Sequence, residues 1–187
     1  MRILAISGSL RAASYNTALA RAAAELTPEG VDVELYDGLG DLPLYDADLD
    51  GEQAPPSVGD LRARIAGADA VLFVTPEYNG SIPGVLKNAI DWASRPPHGG
   101  AALWGKTVAI AGATTGQYGA IWAQQDLRRV LGIAGARVID GELPVARAQD
   151  AFDARGRIAS PAVATRLQAH VAALAREAAP TAELVAA

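Results

Sequence analysis

A short apolar run, Ile3-Leu4-Ala5-Ile6, ends abruptly in a loop of hydroxyls and glycine, and an alanine-rich helical stretch follows at once. The loop is Ser7-Gly8-Ser9-Leu10-Arg11-Ala12-Ala13-Ser14-Tyr15-Asn16, and the helical pattern runs from Thr17 to Leu26. A buried strand that feeds a helix through one turn is the opening half of a strand–helix–strand unit. It also brings free backbone N–H groups and the positive end of a helix to one point, where a phosphate is favoured. Ser9, Ser14 and Asn16 can donate hydrogen bonds to phosphate oxygens, and Arg11 adds charge. A plain helix cap is the competing reading of the same Ser/Gly turn.

The rest of the chain repeats the opening pattern. Strands are expected at Val31–Tyr36, Ala70–Thr75, Thr107–Ala111 and Ala136–Ile139. The first of these alternates with period two and belongs near an edge; the next two are continuously apolar, as strands covered on both faces are. Helices are expected at Val58–Ala66, Ile82–Ala93, Gln117–Ile133 and Ser160–Ala178, with Pro83 and Pro161 in first turns, where a missing N–H is harmless. The alternation predicts an α/β fold: a flavodoxin-like doubly wound five-stranded parallel sheet of order 2-1-3-4-5. One domain is expected across residues 1–179, with a flexible tail expected at 180–187.

In such a sheet the ligand lies beyond the carboxyl ends of the strands, where strand order reverses. Three loops meet there: the first loop, then Pro76-Glu77-Tyr78-Asn79-Gly80-Ser81-Ile82-Pro83-Gly84, then Gly112-Ala113-Thr114-Thr115-Gly116-Gln117-Tyr118-Gly119-Ala120. The latter two offer tyrosines, an amide, glycines and backbone donors, which suit a flat polar heterocycle. Glycine lets backbone approach a ring closely. A phosphate cradle beside an aromatic, amide-lined slot points to FMN.

Composition narrows the alternatives. The chain has 187 residues, a formal net charge of -5 and no cysteine. Disulfides, thiol catalysis and cysteine-ligated metal are excluded, and a reducing compartment fits. The absence of a basic block argues against nucleic acid. No apolar run reaches the ~20 residues of a membrane span. The apolar start is too short for a signal-peptide core. A cytoplasmic location with no membrane partner is the expectation.

At these loops the sequence resembles the NAD(P)H-dependent FMN reductases, a family that also includes quinone, chromate and azo-dye reductases. The signature Gly-Ser-x-Arg-x-x-Ser-x-Asn is matched by Gly8, Ser9, Arg11, Ser14 and Asn16. The longer Pro-Glu-Tyr-Asn-Gly-Ser-x-Pro-Gly-x-Leu-Lys-Asn-x-x-Asp-Trp is matched from Pro76 through Lys87, Asn88, Asp91 and Trp92. The third loop departs from the family pattern of two adjacent glycines and a nearby arginine: Ala120, Ile121 and Trp122 follow Gly119. A methyl at 120 could narrow the space over a flavin ring, and Trp122 could cap the substrate slot or pack at a subunit contact.

The resemblance implies that Ser9, Arg11, Ser14, Tyr15 and Asn16 cradle the FMN phosphate. Pro76, Glu77, Tyr78 and Asn79 would line the isoalloxazine, and Thr115, Gly116 and Gly119 its other edge. Hydride would pass from NADPH or NADH to flavin N5, then to a quinone, free flavin, azo compound or similar small acceptor, with no side-chain catalyst and no metal. An FMN-binding electron carrier without its own NAD(P)H activity is the alternative. The family's assemblies imply a homodimer or homotetramer, with Trp92, Tyr118, Trp122 and the helix bearing Arg128 and Arg129 as contact candidates.

Three further patterns point elsewhere and lack their context. Gly100 to Thr107 matches a P-loop letter for letter, but a strand begins at its end instead of a helix. Asp46, Asp48, Asp50 and Gly51 open like a calcium loop, but position twelve is Ser57, where glutamate is required. His98 and His170 are isolated, and His170 is expected on the surface of the last helix.

Overall fold

Successive side chains of a strand face opposite ways, and here the two faces of the sheet carry residues of different size. The computed structural model describes residues 1–51, 54–96 and 100–179; the expected tail at 180–187 and His98 lie outside the described residues. Strands β1 (Arg2–Ser7), β2 (Asp32–Tyr36), β3 (Ala70–Val74) and β4 (Thr107–Ala113) are joined by helices α1 (Tyr15–Glu25), α2 (Pro56–Gly67) and α3 (Gly84–Ala93). Helix α4 (Ile121–Ile133), β5 (Arg137–Val138), β6 (Leu143–Val145), α5 (Ala148–Ala151) and α6 (Pro161–Ala178) complete the order. On one face, Ile3, Ala5, Ala70, Leu72, Ala109 and Ala111 pack against α1 and α6, themselves rich in alanine. On the other, Leu4, Ile6, Val71, Phe73, Val108 and Ile110 meet Leu61, Leu86, Trp92 and Leu127 from α2, α3 and α4. Each fully buried Leu, Ile or Phe contributes about 1.5–3 kcal/mol.

All pairings are parallel, in the order β2-β1-β3-β4-β5, with β6 also paired to β4. The fifth position of the expected sheet is therefore shared: β5 pairs with Thr107 and Val108, and β6 with Ala111 to Ala113. Pro144, which has no N–H to give a ladder, sits in this outer segment, where a strand has only one neighbour to satisfy.

Helix α4 begins at Ile121, four residues later than its apolar spacing predicts, because Gly119 (φ 60°) and Ala120 (φ 62°) are left-handed. Pro83 stands just before α3 as its cap position instead of within its first turn. Trp92 is fully buried, with Nε1 donating to the Pro43 carbonyl at 2.9 Å, so it is a core residue and not a subunit contact. The calcium-like acidic loop is internally satisfied: Asp46 accepts from the Asp48 N–H at 2.9 Å, and Asp50 pairs with Arg62 at 2.7 Å. Lys106 of the P-loop-like run donates to the carbonyls of Ala66 and Ala68, at the amino end of β3, away from the loops beyond the strands' carboxyl ends.

His170 also differs from expectation. It turns inward from α6, and its Nε2 donates to the Ile110 carbonyl of β4 at 3.0 Å. Burial, the dominant cause, lowers its pKa from the ordinary 6.5. The unfolded chain therefore takes up a proton that the folded chain does not as pH falls below about 6.5, and stability falls with it, by at most about 1.4 kcal/mol per pH unit. His170→Gln, which keeps a donor for Ile110, should lose less stability than wild type between pH 7.5 and pH 5.5 in urea unfolding. Equal losses in the two proteins would remove His170 as the cause.

Candidate functional site

The register aligns the carboxyl ends of three strands. Ser7 of β1 sits beside Val74 of β3, and Val74 beside Ala111 of β4. The chain then leaves β1 toward β2 on one side and β3 toward β4 on the other, so the reversal of strand order falls between β1 and β3. The Gly8 N–H donates to the Val74 carbonyl at 2.8 Å, and the Thr75 N–H to Ala111 at 2.9 Å, which carries the alignment into the loops. Gly8 fits closely there: a Cβ would lie 2.9 Å from Leu86 Cδ2 and 3.3 Å from Pro76 Cδ, so the Leu86 side chain would have to shift. All three expected loops thus emerge at one place.

The first loop holds its donors open. Ser14 caps α1, accepting from the N–H groups of Asn16 and Thr17 at 3.2 and 3.3 Å, so the capping reading is met in full. Its hydroxyl hydrogen remains available. The backbone N–H groups of Leu10, Ala12 and Ala13 have no hydrogen-bond partner among the described residues, and neither does the exposed Arg11 guanidinium. Ser9 Oγ accepts from the Arg11 N–H at 3.4 Å. Two hollows flank this loop. One of about 220 Å³ is lined by Ser7, Ser9, Arg11 and Thr17. The other, of about 410 Å³, is lined by Ser14, Tyr15, Arg155 and Arg157. Open N–H donors, hydroxyls and an uncommitted arginine at a helix start are the donor set a phosphate monoester requires.

Two residues expected in the cradle are committed elsewhere. Asn16 is buried; its Nδ2 donates to the Ala113 carbonyl at 2.9 Å and its Oδ1 accepts from the Ala113 N–H at 2.8 Å. That pair of hydrogen bonds ties the first loop to the end of β4, so Asn16 acts as a strut of the candidate cradle instead of an open donor. The Tyr15 ring packs 5.6 Å from Phe152, turned toward the segment after α5.

The second loop is a tight hairpin. Tyr78 and Ser81 exchange backbone bonds at 3.0 and 3.1 Å around Asn79 (φ 53°) and Gly80 (φ 74°), the signature of a type I′ turn. Pro76 is buried, whereas Tyr78 and Asn79 are exposed. Thr75, buried at the strand end, donates its hydroxyl to the Pro76 carbonyl at 2.7 Å. The Glu77 carboxylate accepts from the N–H of Ala123 in α4 at 3.1 Å.

The third loop is laced to the outer strand. Thr114 N–H donates to Val145, Ala148 N–H to Thr114, and Arg147 N–H to Gly116 at 2.9 Å. Thr115 and Gly116 are exposed, and a Cβ at Gly116 would meet only the Thr114 side chain, at 3.8 Å. Gly119 is buried, and a Cβ there would lie 2.7 Å from the Val145 nitrogen, so its glycine is required by β6. Ala120 is also fully buried, facing Gly112 of β4; its methyl does not narrow the open slot. Tyr118 and Trp122 are half exposed with ring centroids 4.9 Å apart. Among the described residues, no group of three or more His, Cys, Asp or Glu side chains could hold a metal ion, and no helix is long and apolar enough to cross a membrane.

Sequence reasoning missed the contacts that hold these loops together: Ser81 with Asp126 and Asn16 with Ala113, whose partners are distant in the chain, and Gln124 with Gly119, which meet only because Gly119 and Ala120 are left-handed. Comparison with known proteins then fixes the chemistry. The family model for NADPH-dependent FMN reductase matches residues 1–150. The chain belongs to that family. It is an oxidoreductase that uses FMN and NAD(P)H. An NAD(P)H-dependent FMN reductase of Pseudomonas aeruginosa is 45% identical over 175 residues, covering 93% of each chain. A 2-hydroxy-1,4-benzoquinone reductase of Burkholderia is 41% identical over 162 residues, 86% of each chain. Among solved structures, the flavoenzyme NAD(P)H:(acceptor) oxidoreductase FerB of Paracoccus denitrificans superposes with a TM-score of 0.81 at 39% identity, covering 95% of this chain and 96% of that one. A flavodoxin of Bacillus cereus, at 15% identity and a TM-score of 0.63, shares the fold.

Proposed function

We propose that this FMN reductase family member passes two electrons from NAD(P)H to a small planar acceptor of the quinone class, across FMN held among the three loops. The observation that carries this reading is the convergence itself: a loop with open N–H donors and an uncommitted Arg11 leaves the sheet beside the loops that expose Tyr78 and Asn79 and Thr115 and Gly116. Relatives named as quinone reductases, including one of Escherichia coli at 40% identity over 141 residues, favour the acceptor class.

In this reading the chain's residues bind and orient. Ser9, Ser14, Arg11 and the backbone of residues 10–13 take the phosphate, with Asn16 and Tyr15 holding the loop in place. Pro76, the backbone of Glu77, Tyr78 and Asn79 border one side of the ring, and Thr115, Gly116 and Gly119 border the other. The chemistry supplied by bound FMN is hydride acceptance from NAD(P)H and delivery to the acceptor. No side chain at the slot is required to move a proton.

A homodimer or homotetramer in the cytoplasm completes the proposal. Its support is apolar surface on one side of the molecule. Ile133 is 76% exposed, and a hollow of about 300 Å³ between α3 and α4 sets Ile90, Trp104, Val130 and Ile133 beside the charged Lys87, Asp91, Arg95 and Arg129. Such patches mark association surfaces.

Anaerobic titration of the FMN-loaded protein with NADPH, with its mass in solution determined alongside, tests the reading. Bleaching at one NADPH per flavin, reversed by benzoquinone, is expected from a particle of at least two chains. Flavin that NADPH and NADH both leave oxidised would make the protein an electron carrier. An active monomer would remove the assembly.

A further inference from the structure

We propose that Glu77 is a positioning residue: its carboxylate caps α4 and so fixes the spacing between the two loops that border the flavin ring, without touching the ring. The proposal rests on the FMN reading above and concerns the side chain of a residue whose backbone that reading places at the border of the site.

Helix α4 starts with an N-terminal deficit. Its cap residue is Ala120, left-handed and without a side-chain acceptor; the Ile121 N–H reaches the Tyr118 carbonyl at 3.2 Å, but no local side chain caps the Ala123 N–H. In α1 the same deficit is met locally by Ser14. In α4 it is met from another loop, because the Ala123 N–H donates to Glu77 Oε2 at 3.1 Å across 46 positions of sequence. A carboxylate at that place also lies at the positive end of the helix, where an anion is favoured.

A second tether joins the same pieces. Ser81 Oγ donates to Asp126 Oδ2 at 2.5 Å, and Arg129 donates to the other oxygen at 2.6 Å. Glu77 and Ser81 bracket the Tyr78–Ser81 hairpin, one on each arm, and both reach the first two turns of α4. Gln124, on the same stretch of helix and fully buried, donates its Nε2 to the Gly119 carbonyl at 2.8 Å. The start of α4 therefore holds the hairpin on one side and the third loop on the other. With a type I′ turn at its tip, the hairpin has little freedom of its own, and its separation from the third loop is set by these anchors. Glu77 is the anchor nearest the strand end, and the one whose loss leaves a helix N–H without a partner.

The experiment compares Glu77→Gln and Glu77→Ala with wild type, first without flavin and then with FMN. Glutamine keeps an acceptor for the Ala123 N–H and removes the charge; alanine removes both. In the flavin-free protein, amide hydrogen exchange at Ala123 should stay slow in wild type and Glu77→Gln, and become fast in Glu77→Ala. With FMN, Glu77→Ala should bind about tenfold more weakly, the equivalent of one lost cap, and its bound-flavin midpoint potential should shift, while Glu77→Gln stays within twofold of wild type. The proposal is overturned if Glu77→Gln loses FMN as badly as Glu77→Ala, which would mean a direct charged contact. It is equally overturned if exchange at Ala123 is unchanged in Glu77→Ala. Failure of wild type to bind FMN would instead defeat the reading of the three loops, and the exchange measurement separates the two.

Discussion

The Arg11→Ala variant is expected to bind FMN about 10- to 100-fold more weakly than wild type, while its flavin-free form unfolds at the same temperature. The asymmetry follows from where the guanidinium stands. It is exposed and has no hydrogen-bond or ion-pair partner among the described residues, so the fold loses nothing when it is removed. A hydrogen bond to a charged group contributes about 1.5–3 kcal/mol, and every 1.4 kcal/mol is a factor of ten in affinity. Arg11→Lys should recover only part of the loss, because an ammonium gives a point charge where the guanidinium gives a planar fork. The dependence of FMN affinity on salt should also flatten in the alanine variant, since a screened charge pair is gone. Fluorescence titration of FMN at two salt concentrations measures both effects. Near-normal retention of FMN by Arg11→Ala would sink the assignment of the first loop.

Local pattern was enough for the parts of the molecule whose causes are local. The continuous apolar runs at 70–75 and 107–111 became β3 and β4, and strand–helix alternation led to the sheet order 2-1-3-4-5. Ser14 is a cap because a serine before a helical run supplies its own acceptor to N–H groups two and three residues on. What pattern did not show has its cause elsewhere in the chain. Ala120 adopts a left-handed conformation that alanine alone disfavours by roughly 1–2 kcal/mol. Burial against Gly112 of β4 accompanies it, with the Gln124 bond holding the neighbouring Gly119, and α4 starts four residues later. The segment Leu143-Pro144-Val145 is too short for a period and contains a proline, so β6 becomes legible only once the carboxyl half of β4 is seen to need a neighbour. His170 reads as a surface residue of an amphipathic helix until Ile110 is found beneath it. The candidate site divides in the same way. The candidate ligand-facing groups and several of the side chains that hold them share the same contiguous motifs, and only the distant partners, Ala113 of β4 and Ala123 and Asp126 of α4, tell the two apart.

Asn16 is the strongest example of that division, and Asn16→Ala should separate fold from binding in the opposite sense to Arg11→Ala. Its amide satisfies both the N–H and the carbonyl of Ala113, a residue 97 positions away at the buried end of β4. Truncation leaves a donor and an acceptor without partners in the interior, each costing about 1–3 kcal/mol. The expected loss is roughly 2–4 kcal/mol even without flavin, which for a chain of this size lowers the melting temperature by about 5–15 °C. Asn16→Asp keeps an acceptor for the Ala113 N–H but sets a carboxylate against the Ala113 carbonyl, so it should rescue little. FMN affinity should fall as well, because the first loop loses its tie to β4, but only alongside the loss of stability. Thermal unfolding of the flavin-free variants decides the matter. If Asn16→Ala melts with wild type and only FMN binding is impaired, Asn16 serves the phosphate directly and the strut is wrong. If Asn16→Ala melts early while Arg11→Ala does not, two residues five positions apart in one signature do different work: one meets the ligand, and the other keeps the loop where the ligand can be met.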